Sequence, residues 1–190
     1  MHFIHCFLTK LPEEIIARLY AANSASKIAL AVEDAKASAE SEVLSFLEGY
    51  ENVVYDWYVS PCDEEWDRRD VPGYVMGFEE PDQLKNLVAE HSLRPIENAK
   101  MFLNWFFKEV NQEKVEITED ALEKIWDHNH GSLNPFWMLS KAMKLAFQEY
   151  ISECGFYSCP DSSTKISAGI LEEIRKNPGA FVLVFIDIHA

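Results

Sequence analysis

The strongest constraint on the fold is the run AFVLVFIDI at residues 180–188, which is apolar on both faces of an extended chain. Aromatic and leucine side chains alternate there with valine and isoleucine, so neither face is suited to contact with water. Strands with two buried faces lie inside a sheet and not at its border. We therefore predict that this segment crosses the middle of a sheet.

Two further runs predict strands of the same sheet, HFIHCFL at residues 2–8 and NVVYDWYVS at residues 52–60. Both are rich in β-branched and aromatic residues, which are the types favoured in extended chains. A shorter piece, GYVMGF at residues 73–78, would add an edge strand or a hairpin arm. We expect the N- and C-terminal strands to be neighbours in one small sheet.

The stretches between these strands show helical periodicity with recognisable start and stop residues, which predicts about six helices. They include a helix that opens at Pro12, an alanine-rich helix over residues 26–47, and a last helix that is ended by an Asn-Pro-Gly turn. Another helix, around MFLNWFF at residues 101–107, has almost no polar face. The order of elements indicates an α+β fold, and we expect one compact domain over residues 1–190.

The charge of the chain limits the kinds of partner that it can bind. The net charge is −15 at pH 7, and nucleic acid or an anionic membrane surface requires a basic face, so we predict neither as a partner. No apolar run is long enough for a membrane span, and the first residues lack the basic and apolar pattern of a signal peptide, so we expect neither. The four cysteines lack metal-type spacing, which favours free thiols in the cytoplasm, with a Cys154–Cys159 disulfide as the alternative.

The acidity is concentrated in one part of the sequence. Residues 33–82 contain fifteen acidic and three basic residues, and so carry most of the net negative charge. Within this part, SPCDEEWDRRDVPGY at residues 60–74 places aromatic residues between acids. Aromatic side chains supply anchor energy in protein interfaces, and the surrounding charge sets the association rate and specificity.

We therefore predict a partner-binding surface in and before this loop, made of Asp63, Glu64, Glu65, Trp66, Asp67, Asp70, Tyr74 and Trp57. The first alternative is a solvated loop whose Trp66 folds back onto the core. The second is a loop whose carboxylates bind a metal or a substrate.

The pattern as a whole favours a non-catalytic acidic module that covers a basic surface of a partner protein. An immunity protein or another small inhibitor of a toxin would have these properties. The sequence has no glycine-rich phosphate loop, nucleophile elbow, HExxH or dinucleotide motif, and we expect no cofactor. A different alternative is a subunit of a larger assembly, docked through the apolar helix around residues 101–107.

The segment WDHNHGSLNPFW at residues 126–137 is a further place where a metal site could begin. We interpret it as the end of one helix followed by the start of the next, because Gly131 suits a helix end and Asn134 suits an N-cap. The catalytic alternative is metal-assisted hydrolysis by His128 and His130 together with Asp187 and His189. A nucleophilic cysteine is a further alternative, for which Cys159 is the candidate.

Overall fold

The computed structural model describes residues 2–48, 57–66, 71–91 and 155–189. All of them belong to one compact unit formed by Met1–Ser92 and Gly155–Ala190. Residues 93–154 are assigned to a second unit and lie outside the described residues. The expectation of a single domain, and the helices predicted between residues 96 and 150, therefore stay predictions.

The described residues form a mixed α+β structure, which confirms the predicted class. They contain four α-helices and five strands, whereas about six helices are predicted for the whole chain. In chain order the elements are β1 His2–Lys10, α1 Glu13–Ala21, α2 Ala25–Glu48, β2 Trp57–Val59, β3 Tyr74–Met76, α3 residues 81–91, β4 Phe156–Ser158, α4 Ala168–Lys176, a 3-10 turn Pro178–Ala180, and β5 Phe181–His189.

The five strands form one sheet in the order β2, β5, β1, β4, and β3 also pairs with β5. Strand β5 runs antiparallel to β1 along its whole length, from His2 opposite His189 to Lys10 opposite Phe181. Only β4 is parallel to its neighbour, β1. The two terminal strands are therefore neighbours, and β5 is central, as the sequence predicts.

Helices cover both faces of the sheet, which explains why β5 is apolar on both sides. On one face, Leu8 and Leu183 belong to a buried cluster with Leu84 of α3 and Ile174 of α4. On the other face, the Phe7 ring lies with its centroid 6.1 Å from that of Phe46 in α2. Every residue of β5 except His189 is buried, so the hydrophobic effect acts on the whole strand.

Local contacts fix the start of α4 and the turn between α4 and β5. The Ser167 hydroxyl accepts a hydrogen bond from the Ile170 N–H at 3.2 Å and so caps the start of α4. At the other end, the Leu11 N–H donates to the Ala180 carbonyl at 2.8 Å. The backbone at Gly77 passes so close to the Pro178 carbonyl that a Cβ there would overlap it. This Asn-Pro-Gly turn is therefore closely packed against its neighbours.

Among the described helices, none combines the length and the hydrophobicity that a membrane span requires.

Candidate functional site

The candidate site is the turn at residues 60–66, which we call the acidic turn. Asp63 holds it from within: its Oδ2 accepts hydrogen bonds from the Ser60 N–H at 2.7 Å and from the Ser60 hydroxyl at 3.1 Å. The Asp63 N–H donates back to the Ser60 carbonyl at 3.0 Å. A short side chain that bonds its own neighbouring backbone stabilises a tight turn. Asp63 therefore shapes the turn as well as adding charge.

A second carboxylate, Glu40 of α2, ties this turn to the rest of the fold. Its side chain is 7% exposed and accepts the Cys62 N–H at 3.2 Å on Oε1 and the Tyr74 hydroxyl at 2.6 Å on Oε2. Burying a carboxylate is costly unless donors satisfy it, and short charge-assisted bonds are the strongest kind. The Lys36 ammonium lies 5.8 Å from the centroid of the Tyr74 ring. Glu40 thus joins α2, the acidic turn and β3.

The environment keeps the two titratable neighbours of Glu40 protonated at neutral pH. Burial, followed by the hydrogen bond to Glu40 and the charge on that carboxylate, raises the pKa of Tyr74. The Ser60 hydroxyl lowers the pKa of the Cys62 thiol, but burial and the Glu40 and Asp63 carboxylates together outweigh it, and the pKa is raised. Cys62 is therefore a hydrogen-bonded thiol and not an activated thiolate.

The predicted surface residues divide into exposed and buried groups. Asp63, Glu64 and Glu65 are exposed on the acidic turn. The Trp66 side chain is only 6% exposed and belongs to the buried cluster with Leu84, so it folds back onto the core as the first alternative expected. Tyr74 is half-buried, with its hydroxyl on Glu40. The predicted residues Asp67 and Asp70 lie outside the described residues.

Trp57 lies just before the acidic turn, on β2. It is 41% exposed, and its ring stacks on the His189 imidazole with the centroids 5.1 Å apart and the planes 11° apart. It is the one large aromatic side chain of the predicted surface that the structure leaves substantially open to solvent. It could therefore contact a partner without any change in the fold.

Two of the four predicted metal ligands, Asp187 and His189, lie on the same face of β5 because they are two residues apart. Asp187 is 1% exposed, and His189 is stacked on Trp57. In the part of the chain that the structure describes, no group of three or more histidine, cysteine, aspartate or glutamate side chains could hold a metal ion. His128 and His130 lie outside it, so metal-assisted hydrolysis stays a prediction.

Cys159, the candidate nucleophile, lies in the turn after β4. Burial, followed by the negative charge of Glu42, raises the pKa of its thiol to about 12. A thiol with that pKa holds very little thiolate at neutral pH, and the thiolate is the reactive form. Cys159 is a free cysteine, as are Cys6 and Cys62. Cys154, its partner in the alternative disulfide, lies outside the described residues.

Sequence reasoning missed Glu40, which organises the site. The sequence does contain a signal for its burial, because Glu40 lies on the same stripe of α2 as the buried Val32, Ala39 and Val43. A carboxylate on the apolar stripe of a helix indicates a buried group that needs donors. The sequence does not say where the donors come from, because Tyr74 lies on a strand far along the chain.

No protein-family model, no curated protein and no solved structure matches this chain.

Proposed function

We propose that this protein is a non-catalytic module that binds a basic surface of a partner protein, in the manner of an immunity protein or another small inhibitor of a toxin. The observation that carries the proposal is the acidic turn. It presents the exposed carboxylates Glu64 and Glu65, while Asp63 and Glu40 hold its backbone in place. A surface that is ordered before binding loses less conformational entropy when the partner arrives.

The charge of the whole chain supports the same reading. A net charge of −15, concentrated in residues 33–82, attracts a basic protein from a distance and speeds its approach. In this proposal Glu64 and Glu65 pair with lysine or arginine side chains, and the exposed Trp57 supplies the apolar contact. Trp66 and Tyr74 act indirectly, because they support the turn from inside. The free thiols of the described cysteines suit a cytoplasmic protein.

The experiment compares three immobilised proteins in a lysate of the source organism at low ionic strength. They are the wild type, a turn variant (Glu64→Gln with Glu65→Gln), and a control variant (Glu79→Gln with Glu80→Gln). The control removes the same charge from two neighbouring residues that are exposed, acidic and outside the turn. Salt elution and mass spectrometry identify what each protein retains.

We expect the wild type and the control variant to retain the same basic protein in a stoichiometric amount, and salt to release it. The turn variant should retain much less of it. Equal retention by all three proteins would show that the acidic turn is not the binding surface, and retention that survives high salt would show an apolar interface instead.

A further inference from the structure

A cleft of about 420 Å³ lies between α1 and α4, where β1 ends and β5 begins. Its volume is within the usual range of small-molecule sites. Apolar side chains supply much of its lining, among them Ile16 and Ala17 of α1 and Phe181 of β5. None of the lining residues belongs to the acidic turn, so the cleft is separate from the proposed protein-binding surface.

The walls of this cleft are fixed by contacts on both sides. The Tyr20 hydroxyl of α1 donates to Asn177 Oδ1 at the end of α4, at 3.0 Å. The Leu11 N–H donates to the Ala180 carbonyl at 2.8 Å. These bonds connect α1 and the segment before it to the turn between α4 and β5. The cleft is therefore a built part of the fold, and a ligand would not have to open it.

The charged residues that line the cleft are two lysines and two glutamates, and their formal charges cancel. The Lys10 ammonium lies 2.7 Å from Glu173 Oε2, and the Lys176 ammonium lies 3.3 Å from Glu172 Oε1. Glu13, which also lines the cleft, forms no ion pair with any residue that the structure describes. Glu172 also pairs with Arg175 at 3.5 Å, so Lys176 shares that carboxylate with a second cation. Glu13 is therefore the lining carboxylate that can pair with the cationic group of a ligand, in a chain whose net charge attracts cations.

We infer that this cleft binds a small organic amine with an aromatic or branched apolar body. The ammonium group lies against the Glu13 carboxylate, and the apolar body packs on Ile16, Ala17 and Phe181. A lysine side chain of a peptide has the same ammonium group, but its thin four-carbon stem would fill only part of the volume. The inference goes beyond the proposed function and does not depend on it, because no residue of the acidic turn takes part.

The test uses tryptamine as the probe, followed by NMR titration of the whole protein. Indole-3-propionate is the matched anion with the same ring, and a blocked Ala-Lys-Ala peptide represents the lysine side chain. Two variants change the cleft, Glu13→Gln and Ala17→Phe. Their controls are Glu14→Gln, an exposed neighbouring carboxylate that does not line the cleft, and Ala21→Phe on the same helix outside it.

We expect tryptamine to bind with a Kd of about 1 mM, which is usual for a ligand of this size, and the anion and the peptide to bind much more weakly. Glu13→Gln should raise the Kd about three- to five-fold, because it removes one partly exposed ion pair. Ala17→Phe should abolish binding by filling the cleft, and both controls should leave the Kd unchanged. Three results would each overturn the inference: absence of tryptamine binding, equal binding of the anion or the peptide, or a Kd unaffected by Glu13→Gln.

Discussion

At the scale of single residues, the contact between Glu40 and Tyr74 does most to hold the acidic turn. The 2.6 Å bond satisfies one oxygen of a carboxylate that is 7% exposed, and the Cys62 N–H satisfies the other. Removing either donor would leave one oxygen of the buried Glu40 carboxylate without a hydrogen bond, which costs more than the loss of an average hydrogen bond. The integrity of the turn therefore depends on a tyrosine outside it.

We predict that Tyr74→Phe lowers the free energy of unfolding by about 1.5–3 kcal/mol, the usual cost for a hydrogen bond to a charged group. Tyr20→Phe is the matched control, because the Tyr20 hydroxyl donates to a neutral amide at an exposed position. Its cost should be about 0.5 kcal/mol. Urea unfolding of both variants measures the difference, and equal costs would show that Glu40 does not depend on Tyr74.

The Cys159 thiol should make the stability of the fold depend on pH at the alkaline end. Its pKa is raised from 9.0 to about 12 in the folded chain, so folding favours the neutral thiol. That stabilisation is complete below the unfolded pKa of 9.0 and is lost as the pH rises toward 12. At pH 10 the loss should be about 1 kcal/mol relative to neutral pH.

The measurement is urea unfolding of the wild type and of Cys159→Ala between pH 7 and about pH 10, a range that begins below the unfolded pKa and enters the window in which the stabilisation is lost. The wild type should lose stability more steeply with pH than the variant. Cys62→Ala is the control, because Cys62 is exposed and its removal should change the slope less. If the free energy of unfolding fell equally with pH in the wild type and in Cys159→Ala, the raised pKa of Cys159 in the folded chain would be contradicted.

At the scale of elements, the approach of Gly77 to the Asn-Pro-Gly turn fixes how β3 meets β5. We predict that Gly77→Ala destabilises the protein by about 2 kcal/mol or more, because its Cβ overlaps the backbone carbonyl of Pro178, which cannot move aside. Gly169→Ala is the matched control on α4, where a Cβ meets nothing closer than 3.8 Å.

The control should stabilise the protein by about 0.5–1 kcal/mol, the gain from alanine over glycine inside a helix. Thermal unfolding of the two variants measures both effects. If both variants shifted the midpoint in the same direction, the close packing at Gly77 would be refuted.

The elements that the sequence predicted well are those with a strong local pattern. The run at residues 180–188, which is apolar on both faces, correctly predicts that β5 is central in the sheet. The residue patterns of β1 and of the alanine-rich α2 likewise predict those two elements. Strand β4 was not predicted, because a three-residue strand carries almost no pattern and its parallel pairing with β1 joins segments far apart in the chain. Residues 57–59 form the observed part of the strand predicted over 52–60.

The candidate site was predictable only in part, because the direction of one of its side chains depends on packing between elements that are separate in the sequence. The exposed positions of Glu64 and Glu65 follow from a charged turn, which water solvates easily. Trp66 stands beside them in the sequence, yet its ring is in the core. A single aromatic residue in a loop has no periodicity that could indicate which way it points, and only the packing of α3 against the sheet decides it.

At the scale of the whole molecule, the net negative charge comes mainly from one part of the sequence, residues 33–82. The described acidic residues between positions 33 and 82 lie on α2, in the acidic turn, and at or just before the start of α3. Few lysines or arginines from this part oppose them. Electrostatic attraction of this kind acts mainly on the association rate and weakens as salt is added.

The most direct test of the proposed function is the association rate of the captured basic partner, measured by stopped flow over a range of ionic strength. We predict that the turn variant, Glu64→Gln with Glu65→Gln, associates about ten-fold more slowly than the wild type at low salt and with a shallower salt dependence. The control variant, Glu79→Gln with Glu80→Gln, should stay within about two-fold of the wild type. Identical rates for the wild type and the turn variant at low salt would contradict the claim that the acidic turn receives the partner.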